Sequence, residues 1–483
     1  MKELISGSIE SHNSPLAFFY HKKTESPRID PVRIMITAIL ASVFFLSPLA
    51  PAHSEEFGIE IQSAGVLTLQ DAVSIAIAEN PKIENAALDV SKAGDDIAVA
   101  KTKLLPELGF NIYELYHLTE EAFTFKEGSF GDFPVIGPIP SETTKIRTAP
   151  DFTTYLTASI AQPLSQLYDI SLLVNQRRVE RDLFDQELRA TRQEIADWVK
   201  KEYYNILKTQ SGLRAKDEKM VFLTSLSKLV DLNVKEQRAL ESDSLEVKAR
   251  LAEVKYEWFV LENTLATQKE RMNKLLGRDI ETPFTVLEVP RAEPYIIEME
   301  SAEELALVQR PEIKSAKLYI EFAENEVRLK KAKYIPEIGV EFSYIANFNI
   351  ELLPENIATV GLFAKWDVFE WGKKGREVSK KKKELLQAEN DLSDAESQVR
   401  IDVNSKIRKL EESTVLIGVT ELEQIAAREK LRITMNKYKV QDALLTQVLE
   451  AESSLEDKND NHEKAVLDYW TARAELEKAL GEE

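Results

Sequence analysis

Apolar residues along this chain change period, and the changes come twice in the same order. Between residues 68 and 103 they recur mostly at three and four: Leu69, Ala72, Ile75, Ala76, Ile83, Ala86, Leu88, Ala93, Ile97 and Ala98, the spacing of one helical face. Pro81, after Asn80, predicts a kink or a break near the start of this helix. Beyond Pro106 the period drops to two, led by Leu108, Phe110 and Ile112, as a strand requires. Residues 153–162 return in the same period, with Leu156, Ala158 and Ile160 alternating with Tyr155, Thr157 and Ser159. A helical stripe then resumes through Leu183, Phe184, Leu188, Ile195, Trp198, Val199, Tyr203, Ile206 and Leu207. A helix of about 65 residues at 1.5 Å each would reach roughly 100 Å. It meets a polar turn and returns as a shorter helix ending Asn273-Lys274-Leu275-Leu276-Gly277.

From residue 303 the order repeats. A helical stretch to 333 leads to Ile338, Val340, Phe342 and Tyr344, then to Val360, Leu362, Ala364 and Trp366 alternating with Thr359, Gly361, Phe363 and Lys365. Val399, Val403, Ile407 and Leu410 open a second long helix, and the second return ends Glu477-Lys478-Ala479-Leu480-Gly481. Each helix-to-strand switch falls in a repeated nonapeptide, Lys101-Thr102-Lys103-Leu104-Leu105-Pro106-Glu107-Leu108-Gly109 and Lys331-Ala332-Lys333-Tyr334-Ile335-Pro336-Glu337-Ile338-Gly339. Proline there stops the helix and turns the preceding residue extended. Pro81 pairs with Pro311, Ile83 with Ile313 and Pro106 with Pro336, all offset by 230; Gln237 pairs with Gln441, Ala239 with Ala443 and Gly277 with Gly481, offset by 204. The longer loop of the first strand pair accounts for the difference.

Internal repetition of this kind is to be read before anything else. The expected divisions are residues 1–52 as a signal peptide, 53–277 as the first repeat, 278–302 as a linker in a small mixed equatorial domain, and 303–483 as the second repeat. The strand pairs are placed at 106–117 with 152–163 and at 336–347 with 357–368. Pro283, Pro290 and Pro294, with Phe284, Val286, Leu287 and Val289, suggest short strands in the linker. The loop around 128–150 and the turn near 347–356 read as surface excursions.

At 483 residues with 30% charged side chains and a formal net charge of −20, the chain is acidic, so nucleic acid is a poor partner. It has no cysteine, which excludes disulfides, thiolate metal sites and a cysteine nucleophile. Basic residues precede an apolar run from Ile34 to Ala50, closed by Ala50-Pro51-Ala52. This is an export signal with cleavage after Ala52; a single membrane anchor is the alternative, disfavoured by Pro48 and Pro51. No later stretch is apolar enough for a transmembrane helix.

Strands of about ten residues suit a tilted bilayer crossing. Four of them cannot close a barrel, and an open sheet in lipid leaves backbone groups unpaired along both edges. If these strands span a membrane, several chains must therefore pool them. The chain resembles the TolC-like outer-membrane efflux family over roughly residues 66–481, on its tandem halves, its two Lys-x-Lys junctions, Gln162-Pro163-Leu164 and Val368-Phe369-Glu370-Trp371-Gly372. The resemblance implies a mainly α fold with membrane β. Two tandem repeats would supply long α-helical coiled-coil hairpins that form a periplasmic tunnel. Four strands per protomer would contribute to a 12-stranded trimeric β-barrel in the outer membrane. It also implies partners: two further copies of the chain as a homotrimer, outer-membrane lipid, a periplasmic adaptor, and an inner-membrane efflux pump or ABC translocator.

The same resemblance directs attention to two ends of the helices. At the hairpin tips Gln237, Arg238, Asp243, Gln441 and Asp442 are expected to contact the adaptor. The family often carries Val-Gly there; here the aligned pairs are Glu236-Gln237 and Val440-Gln441. Gln447 and Glu450 stand at the positions of mouth-lining acids and are the gate candidates, although capping of a helix N-terminus is a competing role for acids at the tips. At the opposite end Pro106, Gly109, Pro336 and Gly339 form the helix-to-barrel junctions. No phosphate loop, metal-ligand pair or nucleophile elbow is present, so neither catalysis nor a cofactor is expected. His117 and His462 read as surface or interface residues, and Lys380-Lys381-Lys382-Lys383 as a solvated helix face. A soluble periplasmic scaffold and an exported enzyme remain as alternatives. The exported substrate stays open.

Overall fold

The computed structural model describes residues 65–482 apart from 120–121, 148–151, 289–294, 296, 349 and 351–352. The expected signal peptide and the linker residues Val289, Pro290 and Pro294 lie outside the described residues. Helix α1 (Leu69–Glu79) and helix α2 (Pro81–Thr102) meet at Asn80, which is extended and caps α2 by accepting from the Lys82 N–H. Pro81 occupies the first turn of α2, where its missing N–H costs nothing. Helices α3 (Leu167–Lys235, 69 residues) and α4 (Glu241–Leu275) make the first hairpin. Helices α5 (Met299–Gln309) and α6 (Pro311–Ala332) repeat α1 and α2, and α7 (Lys373–Lys439, 67 residues) with α8 (Leu445–Leu480) makes the second hairpin. Helix α5 begins four residues before the expected repeat boundary at 303, at the residue 230 beyond Leu69.

Of the strands, β1 (Val66–Leu67) pairs in parallel with β8 (Thr285–Val286). In the first excursion β3 (Ala122–Phe125) pairs with β6 (Thr144–Arg147), and β4 (Asp132–Phe133) with β5 (Gly137–Pro138). This region is thus an extended hairpin rather than an irregular loop. Phe123 and Phe125 share a face at period two, a signal shorter than the strands around it.

The long strands are β2 (Glu107–Tyr116), β7 (Phe152–Pro163), β9 (Glu337–Phe348) and β10 (Asn356–Lys365). They form one antiparallel sheet in the order β10-β9-β7-β2. Strand β10 stops at Lys365, short of the expected 368. Its partner β9 begins at Glu337, opposite Lys365, directly after Pro336, which has no N–H to offer. The register assigns the two faces. Leu108, Ile160, Phe342 and Val360 lie side by side across all four strands, and each is exposed. On the other face Gly109, Ser159, Ser343 and Thr359 form the neighbouring row. One side of the sheet is therefore apolar yet uncovered, and the other is polar.

The helices are held by separate apolar clusters rather than by one continuous core. Ile195, Val199, Tyr203 and Ile206 of α3 pack with Ala72 and Ala76 of α1 and with Met272 and Leu276. Val403, Ile407 and Leu410 of α7 pack with Ala302, Ala306, Leu476 and Leu480. Most of the stripe read from the sequence is buried here, but Phe184 is 38% exposed. The Tyr203 hydroxyl donates to the carbonyls of Leu67 (3.0 Å) and Leu287 (2.6 Å), tying the β1–β8 pair to α3.

The return helices dock by one device used twice. Gly277 and Gly481 end their hairpins in the left-handed region, at φ 71° and 88°. Gly277 lies against the backbone of Glu79, and Gly481 against Gln309 and Arg310. Each therefore seats on the break between two short helices. A Cβ on Gly277 would meet the Glu79 carbonyl and would be strained at this φ. Gly277→Ala should destabilise the folded chain by about 2–3 kcal/mol, read as a lower apparent Tm in detergent. Gly94→Ala, in the middle of α2 with nothing near its added Cβ, should instead raise stability by up to about 1 kcal/mol.

Candidate functional site

The two hairpin turns are built alike. Where α3 ends, Gln237 adopts φ 59°. The Gln237 N–H donates to the Val234 carbonyl (3.0 Å), and the Arg238 N–H to the Asn233 carbonyl (2.7 Å). Where α7 ends, Gln441 adopts φ 64°. Its N–H donates to Tyr438 (3.0 Å), and the Asp442 N–H to Lys437 (2.8 Å). These paired bonds are the Schellman closure of a helix C-terminus, whose left-handed residue is usually glycine. The glutamines are thus the residues that carry the turn, held in a conformation costly for a side chain with a Cβ.

The next residues start the return helices. The Asp243 carboxylate accepts from the Leu240 N–H (3.2 Å), and the Gln447 side-chain oxygen accepts from the Leu444 N–H (3.1 Å). Both cap an N-terminus from its third residue, so Asp243 and Gln447 are structural equivalents. Asp231 accepts from Ser244 (2.5 Å) and pairs with Lys248 (3.1 Å). These bonds hold its carboxyl below the usual range.

A shared apolar cluster brings the two turns together. Val230 and Val247 of the first hairpin pack with Tyr438, Leu445 and Val448 of the second. Burial pushes the Tyr438 hydroxyl up, and a hydrogen bond with the Asn233 side chain opposes the shift. Glu450 is exposed on α8. It lines a groove of about 840 Å³ with Glu246, its counterpart on α4, and Arg250. Pro106, Gly109, Pro336 and Gly339 stand at the other end of α3 and α7, about 100 Å away along a 69-residue helix. There a Cβ on Gly109 would come within 2.7 Å of Ser159 Oγ, and one on Gly339 would run into the Phe363 ring. Ser165, after β7, accepts from the Gly339-adjacent Ile338 N–H at 2.8 Å and so joins the two junctions.

An ionic layer that sequence spacing does not announce links the hairpins. Lys216 on α3 pairs with Glu257 (2.8 Å) and with Glu456 on α8, and Lys219 pairs with Glu456 and lies 3.6 Å from Glu452. Burial raises Glu452 above the usual carboxylate range. Burial would raise Glu456 too, but hydrogen bonds from Lys216 and Lys219 outweigh it and hold it low. A second layer centres on Glu475, which meets Lys406 (2.9 Å), Lys409 (3.0 Å) and Lys201 (3.6 Å). Burial opposes its charge, yet the bonds from Lys406 and Lys409 bring its carboxyl down to about 2. Among the described residues no group of three or more His, Cys, Asp or Glu could hold a metal ion, and no helix is long and apolar enough to cross a membrane. His117 lies 2.8 Å from the Thr153 hydroxyl, and His462 3.1 Å from that of Thr420.

Residues 303–482 match the family of outer membrane efflux proteins. No curated protein sequence matches the chain. Among solved structures the fold is similar to the outer membrane protein VceC from Vibrio cholerae, with 15% identity, 86% of this chain and 96% of that chain covered, and a TM-score of 0.68. It is also similar to the CmeC outer membrane channel of Campylobacter jejuni, with 12% identity, 86% and 85% covered, and a TM-score of 0.71. The Neisseria gonorrhoeae MtrE outer membrane channel, in its open state, gives 15% identity, 86% and 89% covered, and a TM-score of 0.66.

Gln237→Gly and Gln441→Gly should each stabilise the hairpin by about 1 kcal/mol through relief of the left-handed strain, whereas Asp243→Ala should cost about 1 kcal/mol through the lost cap; chemical denaturation of the solubilised protein measures both. Glu475 has a depressed folded pKa, so its contribution is complete above the ordinary carboxylate value of about 4.3. That contribution is lost as the pH falls towards about 2. Glu475→Gln should flatten that limb of the stability–pH curve.

Proposed function

We propose that the chain is the outer-membrane duct of a tripartite efflux or type I secretion system, because residues 303–482 match the outer membrane efflux protein family and the described chain has the fold of solved outer-membrane channels. The observation that carries this reading is the four-stranded sheet with one uncovered apolar face and no strand beyond β2 or β10 among the described residues. Each unpaired backbone group would cost several kcal/mol in hydrocarbon. Three copies, edge to edge, would give twelve strands, an even number within the range of outer-membrane barrels. The polar face would then line water, and the helical hairpins would continue the wall into the periplasm.

In this reading the duct is passive. It carries out no reaction and binds no cofactor. An inner-membrane pump or ABC translocator would supply the work, and a periplasmic adaptor would engage the tips at Gln237, Arg238, Asp243, Gln441 and Asp442. Opening would separate the turns. Gln447 is committed to capping α8, so its movement would loosen the start of that helix. Glu450 has no such commitment, and three copies of it around an axis would make a negative constriction. The pump that accompanies the protein from intact cells would name the cargo class.

The mature protein should be a trimer in detergent by light scattering, and a stable monomer would end the duct reading. In planar bilayers Glu450→Lys should lower cation selectivity and relieve block by divalent cations. An unchanged current–voltage curve would remove Glu450 from the constriction.

A further inference from the structure

The chain is acidic overall, yet residues 373–383 at the start of α7 hold six lysines and one arginine against one glutamate. The matching stretch of the first repeat at the offset of 204, residues 169–179, holds three charged residues, Asp169, Arg177 and Arg178, and no lysine. The fold therefore does not require this charge. Lys373, Arg376, Lys380 and Lys383 fall on one stripe of the helix and are exposed. Helix α7 lacks an acid in its first turn; the nearest, Glu370 before it, lies 3.4 Å from Lys373 and 3.7 Å from Lys374, so Arg376, Lys380 and Lys383 add positive charge at the positive end of the dipole.

The residues before the helix add an apolar edge. Trp366 is 58% exposed, Val368 72%, Phe369 71% and Trp371 87%. Phe369 and Trp371 stack edge to face at 5.0 Å. Trp371 takes φ 51°, a conformation that a bulky residue rarely adopts and that marks a site worth the strain. Trp371, Lys373, Arg376, Glu377 and Lys380 line one open groove of about 420 Å³. Its single acid is already engaged: Lys330 donates to Glu377 at 3.2 Å. Lys373 has a long contact to Glu370, 3.4 Å, and Lys380 one to Glu384, 3.8 Å. Arg376 has no acidic partner among the described residues.

We propose that this groove binds the phosphate headgroup of an anionic glycerophospholipid in the periplasm-facing leaflet, with Trp371 at the glycerol level beside the first acyl carbons and Lys373 and Arg376 on the phosphate. The proposal rests on the outer-membrane reading above. Trp366 continues the alternation of Val360, Leu362 and Ala364 along the apolar face of β10, so the groove is continuous with the surface that lipid would cover. A further copy of the chain is a poorer occupant. The edge of β10 would meet β2 of the next copy, and the junction before β2 carries Lys101 and Lys103. That neighbour adds positive charge at the same height. Arg376 suits a phosphate better than lysine does, because its planar fork can give two parallel hydrogen bonds.

Distance ranks the cations. The headgroup layer is roughly 5–7 Å deep on each side of the bilayer. From Lys373 to Arg376 the helix rises about 4.5 Å, and from Lys373 to Lys383 about 15 Å. The first pair reaches phosphates directly, while Lys380 and Lys383 act across about a Debye length of salt.

The test uses mature trimers reconstituted in vesicles of mixed phosphatidylethanolamine and phosphatidylglycerol, re-extracted gently, sized, and weighed with their retained lipids by native mass spectrometry. Wild-type trimers should retain phosphatidylglycerol enriched over the input ratio. Lys373→Gln with Arg376→Gln should reduce that enrichment by about fivefold per cation, and Trp371→Ala should lower total retained lipid. Lys380→Gln with Lys383→Gln should have the smaller effect. Equal retention by wild type and the first double variant, with both trimeric, overturns the proposal and leaves the duct standing. Loss of the trimer in that variant, with retention per chain unchanged, would make the groove a contact between copies and overturns it equally. A wild-type chain that sizes as a monomer removes the duct itself, and the lipid site with it.

Discussion

Backbone groups along β2 and β10 have nowhere to go within one chain. The sheet is too narrow to close, and its apolar row of Leu108, Ile160, Phe342 and Val360 gives it no reason to stay in water. The rest of the architecture answers that constraint. Pooling strands between copies, as proposed, would satisfy the edges, and a pooled barrel would leave a polar lumen for the helices to extend. The helix-to-strand switches therefore have to be tight and at one level, since a staggered junction would tilt one repeat's strands against the other's. Gly109 and Gly339 provide the tightness, because side chains there would run into Ser159 and Phe363. Ser165 bonded to the Ile338 N–H levels the two junctions.

Away from the barrel the forces change character. Helices of 69 and 67 residues are braced at intervals by apolar clusters, with one ionic layer between clusters and another beside Val403, Ile407 and Leu476. The layer of Lys216, Lys219, Glu452 and Glu456 joins one hairpin to the other, and Glu475 ties α8 to both long helices. These charges are largely shielded, Lys219 at 13% and Glu452 at 11% exposure, so removing one partner leaves a desolvated charge and costs more than it would for a pair at a wetted surface. The hairpins are seated by Gly277 and Gly481 on the helix breaks and are held again near the tips by the cluster of Val230, Val247, Tyr438 and Val448, so opening of the proposed duct would have to part that cluster.

The order of elements was legible because it rests on period alone. Pro81 and Pro311 mark breaks, Pro106 and Pro336 mark switches, and two offsets expose the repeat. The start of α5 at Met299 was implied by the offset from Leu69, yet the apolar pattern by itself becomes clear only at 303. The hairpin within the first excursion was missed because four-residue strands are shorter than two full alternations. At the tips the sequence aligned Gln237 and Gln441 with a glycine position but could not show that both keep the left-handed backbone that glycine would favour. Asp243 was open to a capping role in the sequence; that Gln447 caps in the same way required the turn geometry. The inter-hairpin ions were invisible for a simpler reason: Lys216 and Glu456 are 240 residues apart, and no local pattern couples them.

The two repeats also divide what folding demands from what it leaves free. Where both copies must make the same contact, they agree: proline at the breaks, glycine at the junctions and glycine at the seats. Where the fold is indifferent, they part. After β7 the chain runs Leu164-Ser165-Gln166-Leu167-Tyr168, and after β10 it runs through Trp371 into a dense run of lysine. Like charges crowded at the positive end of a helix dipole weaken the helix they begin. A tryptophan held at positive φ weakens the turn before it. Drift of a neutral surface would have scattered such residues rather than gathered both costs within a dozen positions of one copy. Their concentration at a single height beside the apolar face of β10 is what a surface shaped by the boundary of a membrane would show.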